Sequence, residues 1–181
     1  YTRGSLSLTI KLIANGVPTL AELGLGQSFG ALAGLTQGLV VVSGPYNAGR
    51  TTTVAAVLEE INRTQTRGIM TIESPIEYLF ANKMSLFQQR EVGTDALGFL
   101  EALRYSQEAD IDVLYVGEHE EAGTVPLLLE IAAAGRLIFT VMDSVTAVQT
   151  VERILSTFAP NDQSRARGLL GSALAAIIVQ R

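Results

Sequence analysis

The stretch from Leu39 to Thr53, LVVVSGPYNAGRTTT, constrains this chain more than any other. Leu39 to Val42 is an apolar, β-branched run too short to be a helix on its own. A loop bounded by Gly44 and Gly49 follows. Beyond it, Val54, Val57, Leu58 and Ile61 recur at helical spacing and fall on one face. In a strand–glycine loop–helix unit, loop N–H groups and the helix N-terminus together form an anion site. The spacing is G-x-x-x-x-G-[basic]-T, that of a phosphate-binding loop, with Arg50 where such loops carry Lys.

Each position in the loop has a physical reading. Gly44 and Gly49 allow backbone conformations and a phosphate approach that a Cβ would hinder. Asn47 belongs to the few other residue types that tolerate a left-handed backbone. Thr51 would place a hydroxyl where a magnesium ion sits beside phosphates. Lys is a compact point charge, whereas Arg50 is longer, planar and forked, so the exchange is not conservative. Arg50 can hold a nucleotide while aiming its charge badly for hydrolysis. The plainer alternative is a glycine turn between strand and helix with no ligand.

Composition narrows the remaining choices. The 181 residues are 48% hydrophobic and 17% charged, enough for one globular domain with a full core. A net charge of −5 and a pI near 4.9 speak against a nucleic-acid binder led by electrostatics. Without cysteine there is no disulfide or thiolate metal site, and His119 as the sole histidine argues against a histidine-led triad. No apolar run is long enough to span a bilayer, and no signal peptide opens the sequence.

Taken in order, Leu6, Leu8, Ile10 and Leu12 alternate as a strand would, and Asn15-Gly16 turns the chain. Thr19 is placed to cap a short helix over Leu20 to Leu23, and a second short helix is predicted from about Ser28 to Ala33. Ile69 to Ile72 reads as a strand with Glu73 at its carboxyl end, followed by Ser74-Pro75-Ile76-Glu77. Carboxylates there can orient magnesium or water, because ligands of open α/β sheets bind at the carboxyl ends of strands. A solvated turn with an ordinary helix cap explains them equally well.

Gln88 to Gly93 reads as a polar segment before a helix from Asp95 to Ser106, with Leu97, Leu100 and Leu103 inward. Val113 to Val116 is an apolar strand delivering Gly117-Glu118, a Walker B-like arrangement in which Glu118 can polarise water or hold a magnesium shell. His119 is assigned no role. A helix over Thr124 to Ala134, a strand over Leu137 to Met142, a helix over Thr146 to Phe158 with Val148, Val151, Ile154 and Leu155 on one face, and a last helix from Asp162 to Gln180 complete the pattern. Alternating strands and helices predict an α/β fold, a mostly parallel sheet covered on both faces. The apolar cluster Ile177 to Val179 beside the last residue reads as the edge of a longer protein.

These blocks resemble, in order, the type II/IV secretion ATPase superfamily, most closely the type IV pilus retraction (twitching-motility, PilT-like) ATPases. The resemblance rests on GLVVVSGPYNAGRTTT (38–53), TIESPIEY (71–78), QQREVGTDALGFLEALR (88–104), DVLYVGE (112–118) and ERILSTFAPNDQ (152–163). It implies a RecA-like P-loop NTPase core over 25–181, preceded by the end of an N-terminal domain and linker over 1–24, with the family's C-terminal helices lying beyond the chain. It further implies ATP and Mg2+ as ligands, bound by Gly44, Pro45, Asn47, Ala48, Gly49, Arg50, Thr51 and Thr52. Glu73 and Glu77 of the aspartate box and the Walker B Glu118 would serve catalysis, and Thr51 and Glu118 the metal. ATP would lie between subunits of a hexamer, homomeric or mixed with an active paralogue, with arginines supplied by the N-terminal domain. The implied setting is the cytoplasm, peripheral to the inner membrane, beside the pilus platform protein, with pilus disassembly driven by ATP.

The chain also departs from the family pattern. Arg50 replaces the P-loop Lys, Ser74 the aspartate-box Asp, and Arg136 and Met142-Asp143-Ser144 stand where the histidine box has its two histidines. Glu108 replaces the second arginine of the helix before Walker B while Arg104 remains, and Glu120 and Glu121 stand where Arg and Asp are usual. Two expectations follow. The domain is a working motor subunit, or it is a pseudo-ATPase with weak or no hydrolysis that acts as a structural or regulatory subunit. A nucleotide-binding module of another pathway is the third and most distant reading.

Overall fold

A computed structural model describes residues 16–181. The alternating stretch Leu6 to Leu12 lies outside the described residues. Six strands, β1 (Gly38–Ser43), β2 (Gly68–Glu73), β3 (Leu86–Glu91), β4 (Val113–Val116), β5 (Leu137–Met142) and β6 (Leu174–Val179), form one sheet in the order β3-β2-β4-β5-β1-β6. All five neighbouring pairs are parallel. The helices are α1 (Gln27–Ala33), α2 (Arg50–Thr64), α3 (Phe99–Glu108), α4 (Thr124–Ala133), α5 (Ala147–Ser156) and α6 (Gln163–Ala173).

Burial on both faces explains the sequence of the central strands. All six residues of β1 are buried, and their side chains alternate between two cores. Val40 and Val42 join Val54, Val57, Leu58 and Ile61 of α2, whereas Leu39 and Val41 join Leu103 of α3, Leu128 and Leu129 of α4 and Leu170 of α6. A strand covered on both faces has no polar side to show, so its sequence is a continuous apolar run. Each fully buried Leu, Ile or Val contributes about 1.5–3 kcal/mol. Leu20 and Leu23 of the 20–24 turn pack on the α2 side, and the turn is held by Thr19, whose Oγ1 accepts from the Glu22 N–H at 3.2 Å while the Glu22 carboxylate accepts from the Thr19 N–H at 2.7 Å.

Five sequence expectations are corrected. The short helix expected over Leu20 to Leu23 is a turn, because Gly24 takes a left-handed φ of 68° and stops it after one turn. The last helix ends at Ala173, and Leu174–Val179 is a strand. An apolar run of this length fits either form. The free edge of β1 decides, since its buried N–H and C=O groups need partners, and Val41↔Ile177 and Val42↔Ile178 supply them. The polar segment at Gln88 belongs to β3, whose outer edge carries no partner strand among the described residues and so tolerates polar residues. Leu97 precedes α3 and is 93% exposed, because the helix starts only at Phe99, which is buried in its place. Val148 is 67% exposed, while Thr150 takes the buried position on α5.

Candidate functional site

In a parallel sheet all carboxyl ends point the same way, so the segments following β1, β2, β4 and β5 meet along one rim. The segment after β1 is the glycine loop. Asn47 has φ 63° and Gly49 φ 83°, both left-handed, and Gly49 leads directly into α2. Gly44 is required for a reason the sequence does not show. A Cβ there would lie 2.7 Å from the Gln180 carbonyl oxygen and 3.0 Å from the Ala48 Cβ. Gln180 also donates from its backbone N–H to the Ser43 carbonyl at 2.8 Å and from Nε2 to Thr53 Oγ1 at 2.7 Å, so the residue after β6 buttresses the loop on both sides. Inside the loop, the Ala48 N–H donates to the Pro45 carbonyl at 3.1 Å.

Arg50 opens α2 and is only 7% exposed. Its Nη2 donates to both oxygens of Glu118, at 3.1 and 3.2 Å, while its Nη1 is buried without a partner. A buried cationic donor left unpaired costs a few kcal/mol, which an anion lying in the loop would offset. The next two residues contact the segment that follows β2. Thr51 Oγ1 donates to the Glu77 carboxylate at 3.4 Å, and the Thr52 and Tyr78 hydroxyls are 2.9 Å apart. The loop, Glu77 and Glu118, distant in sequence, are thus brought together.

Glu73 ends β2 and is 3% exposed, with Oε1 unpartnered. Burial pushes its carboxyl up to about 7, against the pull of the nearby Thr71 hydroxyl and the Glu77 backbone N–H. Gly117 lies beside it: a Cβ there would meet the Glu73 Cα and Cγ at 3.5 Å, an ordinary contact distance. Tyr115 of β4, which sequence reasoning passed over, is buried on the α2 face. Burial raises its phenol, the Glu73 and Glu77 carboxylates add to that rise, and the Thr51 hydroxyl and Arg50 guanidinium oppose it. The signal was available: a polar-tipped aromatic inside the aliphatic run VLYV needs a place for its hydroxyl. Gln180 carried no such signal.

A cavity of about 660 Å³ adjoins this rim, lined by Ser74, Glu118, His119, Asp143 and Arg153 among others. His119 Nδ1 lies 2.9 Å from the Gly117 carbonyl, which makes Nδ1 the protonated nitrogen, and Nε2 is buried without a partner. Burial holds its pKa below the usual histidine value, against the raising influence of that carbonyl, Glu121 and Glu118. Among the described residues, no three acidic or histidine side chains are grouped as a metal-binding set.

Two departures from the family pattern have structural work. Glu121 accepts from the Phe99 and Leu100 N–H groups at 2.7 and 3.4 Å, at the N-terminus of α3. Arg136 donates to the carbonyls of Ser106, Gln107 and Ala109 at its C-terminus. Negative charge at the start and positive at the end both complement the helix dipole. Arg136 precedes β5 and Asp143 follows it, so the two histidine-box positions lie at opposite ends of one strand. At the Asp143 end, the Ser43, Ser144 and Thr150 hydroxyls form a buried chain with spacings of 3.2 and 2.7 Å.

A parallel sheet with a glycine loop between its β1 strand and α2, and acidic residues at the carboxyl ends of β2 and β4, defines a P-loop NTPase core. Residues 20–181 match the family described as type II/IV secretion system protein, and the chain belongs to that family. It is 38% identical over 170 residues to the type IV pilus retractation ATPase PilT of Pseudomonas aeruginosa, covering 94% of this chain and 49% of that protein. It is 37% identical over 170 residues to a twitching motility protein of Neisseria gonorrhoeae, covering 94% and 46%. The crystal structure of the pilus retraction motor PilT with bound ADP superposes with a TM-score of 0.91 at 38% identity, covering 94% of this chain and 50% of that one. The chain spans about half the length of the curated relatives it matches.

Proposed function

We propose that this is the ATP-binding motor domain of a pilus-retraction-type secretion ATPase, in which ATP binding and hydrolysis drive pilus disassembly. The observation that carries the reading is Arg50 Nη1, a cationic donor buried without a partner at the start of α2, directly after the left-handed Gly49. The likeness to a retraction motor solved with ADP supports a nucleotide as the anion. Residues Gly44 to Thr52 would cradle its phosphates. Magnesium would enter with the nucleotide, with Thr51 as its protein ligand and Glu118 in its shell, and would neutralise charge developing on the phosphates. Glu73 and Glu77 would position water or metal. By the same likeness the domain would work in a cytoplasmic hexamer, homomeric or mixed, against an inner-membrane platform protein, with residues 1–24 leading in from an N-terminal domain.

One observation favours a second reading, a subunit that binds nucleotide but hydrolyses it slowly or not at all. Glu118, the residue that would activate water, is engaged by Arg50. Two contacts each costing a few kcal/mol of transition-state stabilisation would remove most turnover. Titration of a slowly hydrolysed ATP analogue with magnesium into the full-length protein, followed by steady-state turnover, separates the readings. Micromolar binding with turnover supports the motor. Binding without turnover supports the non-hydrolysing subunit. No binding by the native protein or by Arg50→Lys would overturn both.

A further inference from the structure

We propose that Glu118 occupies the place of a ligand phosphate: its carboxylate holds Arg50 until a polyphosphate displaces it, so the ion pair is a latch that opens as nucleotide binds. The inference rests on the nucleotide-binding reading above and adds a regulatory element to that site.

The asymmetry of the pair carries the argument. Arg50 is 7% exposed and anchored in the first turn of α2, whereas the Glu118 side chain is 55% exposed, on an irregular segment between β4 and α4. Taking Arg50 out would leave a hole under the loop and drag a helix start with it. Taking Glu118 out only returns a carboxylate to water, at little cost. Glu118 is therefore the partner that leaves. The forked guanidinium is what makes the latch workable. Nη2 is held by both Glu118 oxygens while Nη1 remains unpartnered inside the site, ready for an incoming anion before the pair breaks. A lysine has one nitrogen and would have to release the carboxylate first. When the phosphate has taken Arg50, Glu118 is set free at the rim, beside the ligand that released it.

The test is a titration of fluorescent ADP into the full-length protein, in EDTA so that no metal role of Glu118 contributes. Glu118→Gln is expected to bind about tenfold more tightly than wild type, since the amide competes poorly for Arg50. Removing a negative charge near phosphates would also tighten binding by plain repulsion, so the measurement is repeated in an Arg50→Met background. The latch requires the gain from Glu118→Gln to vanish there, and a gain that persists overturns it. If Arg50→Met does not fold, Arg50→Lys serves, and the gain must fall below about threefold. Wild-type binding with no gain in Glu118→Gln overturns the latch and leaves the nucleotide site standing. Absence of ADP binding in wild type, Glu118→Gln and Arg50→Lys alike overturns the site and the latch together.

Discussion

The Nη2 nitrogen of Arg50 donates to both carboxylate oxygens of Glu118, at 3.1 and 3.2 Å, joining the first residue of α2 to the residue after Gly117 at the end of β4. The residue that departs from the phosphate-loop pattern is thus bound to the residue that would activate water. Arg50→Lys should loosen this pair and present a compact charge to the phosphates. Steady-state ATP turnover of the full-length protein is expected to rise about tenfold or more, equivalent to about 1.4 kcal/mol or more of barrier. Unchanged turnover with intact binding would locate the block at Ser74 or Asp143 instead.

Glu73 predicts a pH dependence of stability. Its carboxyl is raised to about 7 in the folded protein by burial, so the native state holds a proton that the unfolded state gives up at lower pH. Stability from this group is fully present below the ordinary carboxylate range and is lost as pH rises to about 7. The loss is about 3 kcal/mol at most. Thermal melts of Glu73→Gln should show a flatter profile between about pH 5 and 7 and a higher Tm than wild type at pH 8. An unchanged slope would mean that Glu73 is ionised throughout.

Gly44→Ala tests the contact between the glycine loop and the segment after β6. The new Cβ would stand 2.7 Å from the Gln180 carbonyl oxygen, a backbone atom that cannot swing aside. The pairing of Gln180 with Ser43 should break first. Hydrogen exchange at Ile178 to Gln180 is expected to accelerate by tenfold or more, with a stability loss of about 1–3 kcal/mol. Protection equal to wild type would show that the strand accommodates the methyl group.

Arg136→Ala should cost stability without touching nucleotide affinity. It removes the donors to three carbonyls at the end of α3, at the amino ends of the strands, opposite the glycine loop. A loss of about 1–3 kcal/mol in denaturant unfolding is expected. A change in ADP affinity beyond about twofold would mean that α3 communicates with the site.

Much of the site was legible in one dimension because its parts are local. The strand, loop and helix of 38–64 lie within one continuous stretch, so the pattern of apolar residues and glycines was enough to place Gly44 to Thr52 at the start of α2. Glu73 and Glu118 were legible because each ends a short apolar run, and parallel strands bring such ends to one rim. Glu121 and Arg136 were legible only as departures, since their partners on α3 are about 20 and 30 residues away.

The sequence by itself determined the parallel α/β architecture and the chemistry gathered at the carboxyl ends of its strands, because periodicity and loop composition act over a few neighbouring residues. Only the tertiary structure decided that Leu174–Val179 is a strand, that Gly44 must stay small for Gln180, and that Arg50 is spent on Glu118. Each of those depends on a partner distant in the chain: the open edge of β1, the backbone after β6, and a carboxylate 68 residues away. Hydrogen bonding and excluded volume at such contacts override local preference, and no local pattern encodes them.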